Sequence, residues 1–218
     1  MERVVVARVD GSGSGRAVVR WASQEATLRG LSLRVIRHPL PDVLDEAQLV
    51  VAGMRALDAV AFSAHPVVLI PAKRAVRHPT HHDGEIVLAV DARDPADGAL
   101  DLAFDTARLW GVRLRAVHAW RFPSRATELP FGVPEEDRAA WEDHEVQLLA
   151  DALRPWREKY PAVRVLKDVR LFTPAHALLQ LSASAGLVVV GRGFEGEPGP
   201  TVRALLAESL CPVAVVPT

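Results

Sequence analysis

What most constrains this chain is that part of it is written twice. At a constant offset of 81, Val9-Asp10 falls on Val90-Asp91, Ala22 on Ala103, Ala26 on Ala107, Leu28 on Leu109, Gly30 on Gly111 and Leu33-Arg34 on Leu114-Arg115. The shared positions are core residues and turns, where a duplicated unit keeps its likeness. Each copy opens with a short β-rich run, residues 4–9 or 86–90, too brief for a helix. A helix follows, with Val18, Trp21, Ala22 and Ala26 on one face, and Ala99, Leu102, Ala103 and Ala107 repeat that spacing. Gly30 and Gly111 stand where a left-handed helix cap is wanted, and second strands follow at 33–36 and 114–119. Strand, helix, strand is a crossover unit, so its strands are parallel.

The ends of the copies match at a different offset. Leu49-Val50-Val51-Ala52-Gly53 parallels Leu187-Val188-Val189-Val190-Gly191, and His65-Pro66-Val67-Val68-Leu69-Ile70-Pro71 parallels Cys211-Pro212-Val213-Ala214-Val215-Val216-Pro217. Only the second copy has a long middle. It predicts a helix over 135–159 bent or interrupted at Pro155, with Trp141, Leu148, Ala152 and Trp156 on one face. An alternating strand at 163–171 comes next, then a helix started by Thr173-Pro174 and ended by Gly186. The expected organisation is a truncated unit over residues 1–76, a linker over 77–84 and a complete unit over 85–218, with four-stranded and five-stranded sheets respectively.

Composition excludes several classes. The 218 residues are 49% hydrophobic and 24% charged, with formal net charge −1, enough apolar content for a substantial core. Basic and acidic residues are interleaved, so no stripe for nucleic acid or an anionic membrane emerges. The most apolar stretch, 56–72, is broken by Asp58, His65 and Pro66, far short of a membrane span. One cysteine, Cys211, and no visible secretory leader place the expectation in the cytoplasm.

Gly11-Ser12-Gly13-Ser14-Gly15, after the first strand, has the look of a phosphate cradle. The repeat supplies the control: Gly11, Gly13 and Gly15 face Ala92, Asp94 and Ala96, whereas Asp10 and Asp91 agree. Arg16 also stands where G-x-G-x-x-G needs its third glycine. The stretch reads as a turn, with Ser12 or Ser14 capping the first helix and Asp94-Pro95 starting its counterpart.

The segments VARVDGSGSGRAVVRWASQEATLRG, VRLRAVHAW, LRPWREKYPAVRV, TPAHALLQLSASAGLVVVGRG and CPVAVVPT, in this order and spacing, resemble the universal stress protein family in a tandem form. The resemblance implies α/β sandwiches of the adenine-nucleotide alpha-hydrolase-like type, with parallel strand order 3-2-1-4-5 and the strand-3 region missing from the first. It implies that the last strands of two units pair antiparallel, here within one chain as a pseudo-dimer, with further homodimerisation open. It also implies a role in stress response as a binding or regulatory module acting on a protein partner. By carry-over, the nucleotide-binding residues are Asp91 near the adenosine, Ala119 against adenine after His118, and Val190, Gly191, Gly193, Thr201 and Val202 at the phosphates.

The phosphate pattern G-x2-G-x9-G-[S/T] is not kept. Ten steps separate Gly191 from Thr201 where the pattern has fourteen, and Pro200 replaces the last glycine. Pro198 and Pro200 donate no hydrogen bond. Glu195 and Glu197 bring negative charge, each costing about 3 kcal/mol near 6 Å from a phosphate at an effective dielectric of ~20. Arg192 or Arg203 is available to offset part of it. The expectation is no nucleotide in the first copy, a degenerate ATP site in the second, and no required cofactor. ATP or AMP with Mg is the ligand the resemblance names, and an ATP/AMP switch or weak ATPase in the second unit is the alternative. Adenylate-forming relatives carry S-G-G-x-D-S after strand one, which DGSGSG does not supply, so catalysis is the less favoured reading.

Remaining chemistry-bearing residues read as structural. Residues 78–83, His-Pro-Thr-His-His-Asp, are a polar linker rather than a metal site. His118 and His176 sit at a strand end and a helix start, and Cys211 is a packed thiol. Trp110 and Trp120 fall in turns, where one is available for exposed recognition.

Overall fold

A computed structural model describes residues 3–10, 14–37, 46–71, 84–122, 134–193 and 198–217. The glycines at 11 and 13, the histidine-rich segment 78–83, and Glu195 and Glu197 lie outside the described residues.

The first copy supplies β1 (Val4–Arg8), α1 (Gly15–Arg29), β2 (Ser32–Ile36), β3 (Ala47–Gly53), α2 (Leu57–Phe62) and β4 (Val67–Ile70). The second supplies β5 (Ile86–Ala89), α3 (Asp97–Trp110), β6 (Leu114–Ala119), α4 (Glu135–Lys159), β7 (Val165–Arg170), α5 (Pro174–Ser182), β8 (Leu187–Gly191), α6 (Pro200–Glu208) and β9 (Val213–Val216). All nine strands form one sheet, in order β2-β1-β3-β4-β9-β8-β5-β6-β7. Within each copy the pairings are parallel. The copies meet where β4 runs antiparallel to β9, with Val67 opposite Val215 and Leu69 opposite Val213. The second-copy strands read β7-β6-β5-β8-β9, which is 3-2-1-4-5 in their own numbering.

Helices cover both faces because the central strands are apolar on both sides, as buried parallel strands must be. On one face Val5, Leu49, Ile86 and Val189 pack under α1, α3 and α4. On the other, Val50, Leu69, Val188 and Val213 pack under α2, α5 and α6. β2 lies at an edge, mostly exposed, with Val35 open to solvent.

Two helices, one from each copy, join above the first face. Trp21 of α1 meets Trp110 of α3 edge-on with ring centroids 6.3 Å apart. The Trp110 indole N–H donates to Glu25 Oε2 at 3.0 Å, and Arg29 Nε donates to Glu25 Oε1 at 2.7 Å. Arg29 continues to Asp105 Oδ2 (2.7 Å) and Thr106 Oγ1 (2.9 Å) on α3. Glu25 is fully buried, so its charge is met by an ion pair and a hydrogen bond rather than by water.

Local details differ from the sequence reading in five places. α4 runs unbroken through Pro155, the helix interior accommodating the ring. α3 starts at Asp97 with Ala96 as N-cap, after Asp94-Pro95. α5 stops at Ser182 because Gly186 is already committed, its N–H donating to Glu85 O at 2.9 Å beside β5. Trp110 and Trp120 are both buried: the first closes α3 onto α1, and the second packs edge-on against Phe122, centroids 5.0 Å apart. Ser14 is the N-cap residue of α1 but its side chain makes no cap bond. Thr173 does cap α5, accepting from His176 N–H at 3.3 Å.

The helix-capping glycines repeat as read. Gly30 (φ 65°) and Gly111 (φ 68°) both end their helices left-handed, and each N–H returns to the last helical turn.

Candidate functional site: a cleft at the switch point of the second copy

β5 lies between β6 and β8, so the chain leaves it first to one side and later to the other. In parallel α/β sheets the gap opened by that reversal, at the carboxyl ends of the strands, is where ligands sit. A cleft of about 500 Å³ occupies this place, floored by Val117, Val190 and Leu178 and rimmed by polar loops. Asp91, Ala119, Val190, Gly191, Gly193, Thr201 and Val202, the seven residues singled out from sequence, all line it. They come from β5, β6 and β8 ends and from the start of α6, separated by up to 111 positions in the chain.

Asp91 follows β5 and is exposed at the mouth, its Oδ1 accepting from Arg93 N–H at 3.1 Å. Beneath it lies a group that sequence reading did not assemble. His118 at the end of β6 is buried, with Nδ1 3.0 Å from Val90 O and 3.3 Å from Ala92 N, the two backbone groups flanking Asp91. Its Nε2 is 2.9 Å from Glu145 Oε2 on α4, and the other Glu145 oxygen accepts from Arg93 Nη2. The carboxylate therefore holds the imidazole, the imidazole props the turn that presents Asp91, and Arg93 closes over both. Burial pushes the Glu145 carboxyl upward, but hydrogen bonds and charge from Arg93 and His118 outweigh it and hold the group below its usual 4.5. The signal for Glu145 was an acid in phase with Leu149 and Leu153, the fully buried residues of α4. Glu145 also lies four residues after Trp141 and three before Leu148, on the face the sequence reading turned inward, but that reading did not single it out.

The anion side of the cleft is sparse. α6 begins at Pro200 with Gly199 as N-cap, and Gly199 N–H is already donated to Arg192 O at 3.3 Å. Pro198 and Pro200 offer no N–H. Arg192 does not offset negative charge there: its Nη1 donates away from the cleft, to Val60 O (3.1 Å), Ala61 O (3.3 Å) and Ser63 O (2.9 Å) at the end of α2. Arg203 stands on the exposed side of α6 and is not part of the cleft wall. Among the described residues, no group of three His, Cys, Asp or Glu side chains could hold a metal ion. The cleft thus joins an apolar floor to a proline-flanked rim at the start of α6.

At the matching place in the first copy, Gly53, the counterpart of Gly191, lies close to Ser14. A side chain at Gly53 would come within 2.8 Å of Ser14 Oγ, and Ser14 is buried. Arg8 Nη1 and Asp58 Oδ2 pair at 2.6 Å at the neighbouring carboxyl end of β1.

Cys211 is buried, and burial pushes its thiol up to about 11, as suits a packed rather than reactive sulfur. No described helix is long and apolar enough to cross a membrane.

A mostly parallel α/β sheet with helices on both faces and a cleft at its switch point defines the class of fold. Comparison with known proteins makes this specific: the model of the universal stress protein family matches residues 84–217. The chain belongs to that family. A universal stress protein of Mycobacterium tuberculosis (strain H37Rv) is 33% identical over 95% of this chain and 68% of its own length. One from Mycolicibacterium smegmatis is 30% identical over 83% of this chain and 65% of its own. Among solved structures, a universal stress protein from Archaeoglobus fulgidus shares the fold with a TM-score of 0.54 at 17% identity, covering all of this chain and 86% of that one. A protein of unknown function from Pseudomonas aeruginosa does so with a TM-score of 0.56 at 15% identity, covering 99% of this chain and 82% of that one.

Proposed function

We propose that this protein is a non-catalytic binding module of the universal stress family, working in a stress response through a protein partner. A ligand cleft in the second copy takes the nucleoside part of an adenine nucleotide and grips the phosphates poorly. The first copy binds no nucleotide and serves instead as a built-in partner, giving an intramolecular pseudo-dimer through β4 and β9. The observation that carries this reading is the split character of the cleft. Its nucleoside end has Asp91 braced by His118 and Glu145, while its phosphate end has two prolines, a used Gly199 N–H and a cation turned away. In the first copy, the buried Ser14 stands against Gly53, the counterpart of Gly191.

Calorimetric titration of AMP into the full chain and into Asp91→Ala tests it. Weak AMP binding abolished by Asp91→Ala is expected. AMP binding unaffected by that change would place the ligand elsewhere and overturn the reading. The alternative, an ATP-driven switch or weak ATPase, requires phosphate release at high protein concentration that Asp91→Ala abolishes, and no turnover is expected.

A further inference from the structure

The two copies repeat a small backbone device after the strand next to the last. Met54 N–H donates to Ile70 O at 3.1 Å in the first copy, and Arg192 N–H donates to Val216 O at 2.7 Å in the second. Met54 and Arg192 each follow the glycine that ends β3 or β8. Their side chains part company there. Met54 packs among the apolar residues of its sheet face. Arg192 instead crosses the β4–β9 junction, and its Nη1 donates to three carbonyls, of Val60, Ala61 and Ser63, at the end of α2. These are the carbonyls a helix end leaves without partners, and they carry the negative end of the helix dipole, so a guanidinium is a well-matched cap. The main chain of Arg192 is held as well, its N–H by Val216 O and its carbonyl by Gly199 N–H. On either side of it, Gly191 and Gly193 form the cleft wall, Gly193 in a positive-φ conformation (φ 93°).

We propose that Arg192 is a positioning residue through which the first copy controls the cleft of the second. The end of α2 clasps the guanidinium, the guanidinium fixes the backbone between Gly191 and Gly193, and that backbone sets the cleft's glycine wall and the start of α6. The first copy is thereby more than a partner for a strand edge: loosening α2 opens the wall of a site it does not contain. The value of this wall for binding rests on the reading of the cleft given above, but the tether itself does not.

Hydrogen–deuterium exchange on the full chain separates the two. In Arg192→Ala, exchange of the Arg192 and Gly199 amides and of the first turn of α6 is expected to rise about tenfold or more, for loss of charge-assisted bonds. The α2 amides rise with them, while β1, β5 and β6 stay as in the parent. Arg192→Lys, which keeps a cation but shortens the reach to the α2 carbonyls, gives an intermediate rise. The reverse perturbation, Ala59→Gly on α2, also raises exchange at Gly199, across the junction. Unchanged exchange over 191–202 in Arg192→Ala, or a uniform rise through every strand, overturns the tether, the second outcome marking a residue that only adds global stability. No ligand enters these measurements, so their result stands whichever way nucleotide titration falls. With AMP as probe, Arg192→Ala weakens binding about tenfold while Arg192→Lys restores part of it. Equal AMP affinity in all three proteins overturns the claim that the tether sets the cleft.

Discussion

Replacing Glu25 by Ala removes a fully buried carboxylate that joins α1 to α3. Glu25 is fully buried, and its side chain meets Arg29 at 2.7 Å and the Trp110 indole at 3.0 Å. Removing one partner of a buried ion pair costs about 3–5 kcal/mol, because the other charge is left without compensation. Arg29 keeps Asp105 and Thr106, which places this loss at the lower end, about 3 kcal/mol. The stranded Trp110 N–H adds about 1 kcal/mol. With a urea m-value of about 2 kcal/mol per molar, the midpoint of the full chain falls by roughly 1.5–2 M, read by tryptophan fluorescence. In an Arg29→Ala background the same change costs much less, since no buried cation remains to be stranded. A midpoint shift below about 0.5 M, or equal cost in the two backgrounds, refutes the argument that this network locks the copies together.

Gly111→Ala and Gly30→Ala each destabilise the chain by about 1–2 kcal/mol, because the new Cβ meets nothing within 4 Å and only the left-handed backbone is penalised. Urea midpoints that differ widely between the two would show that the caps are not equivalent. Glu145 titrates below 4.5, so its contribution to stability is present above that value and lost as pH falls beneath it, the unfolded chain taking up the proton first. Asp168, held low by Arg170 and Arg115 against the upward push of burial, acts in the same direction. Glu145→Gln should therefore flatten the acid limb of a stability-versus-pH curve, and a limb as steep as the parent's contradicts the assignment. Cys211 reacts with an aromatic disulfide reagent only as the chain unfolds, and full labelling within the mixing time under native conditions contradicts its packing.

The repeat made the strands and most helices legible. An identity such as Gly30 with Gly111 carries its own physical reason, a left-handed cap, and apolar runs of four to seven residues between turns read as buried strands. The seven residues that line the cleft were named by the family resemblance, position by position, and not by the repeat. What escaped were facts about reach. Glu145 lies on the α4 face that Trp141, Leu148 and Ala152 mark, but nothing in the helix pattern says that His118 at the end of β6 and Arg93 after β5 receive its carboxylate. Arg192 reads as a cation beside a phosphate loop, and nothing local says that a helix end some hundred and thirty positions earlier claims its guanidinium. Trp110 reads as a turn residue, but its indole N–H needs a buried acceptor that only α1 supplies.

The affinity of ATP relative to AMP for the full chain tests the split character of the cleft most directly. With the phosphate end depleted of N–H donors and Arg192 committed to α2, the added phosphates bring no gain. The two nucleotides are expected to bind within a few-fold of each other, both weaker than micromolar. ATP binding at micromolar affinity or tighter, and more than tenfold above AMP, would mean that residues 191–201 still grip a triphosphate, and the account would be wrong.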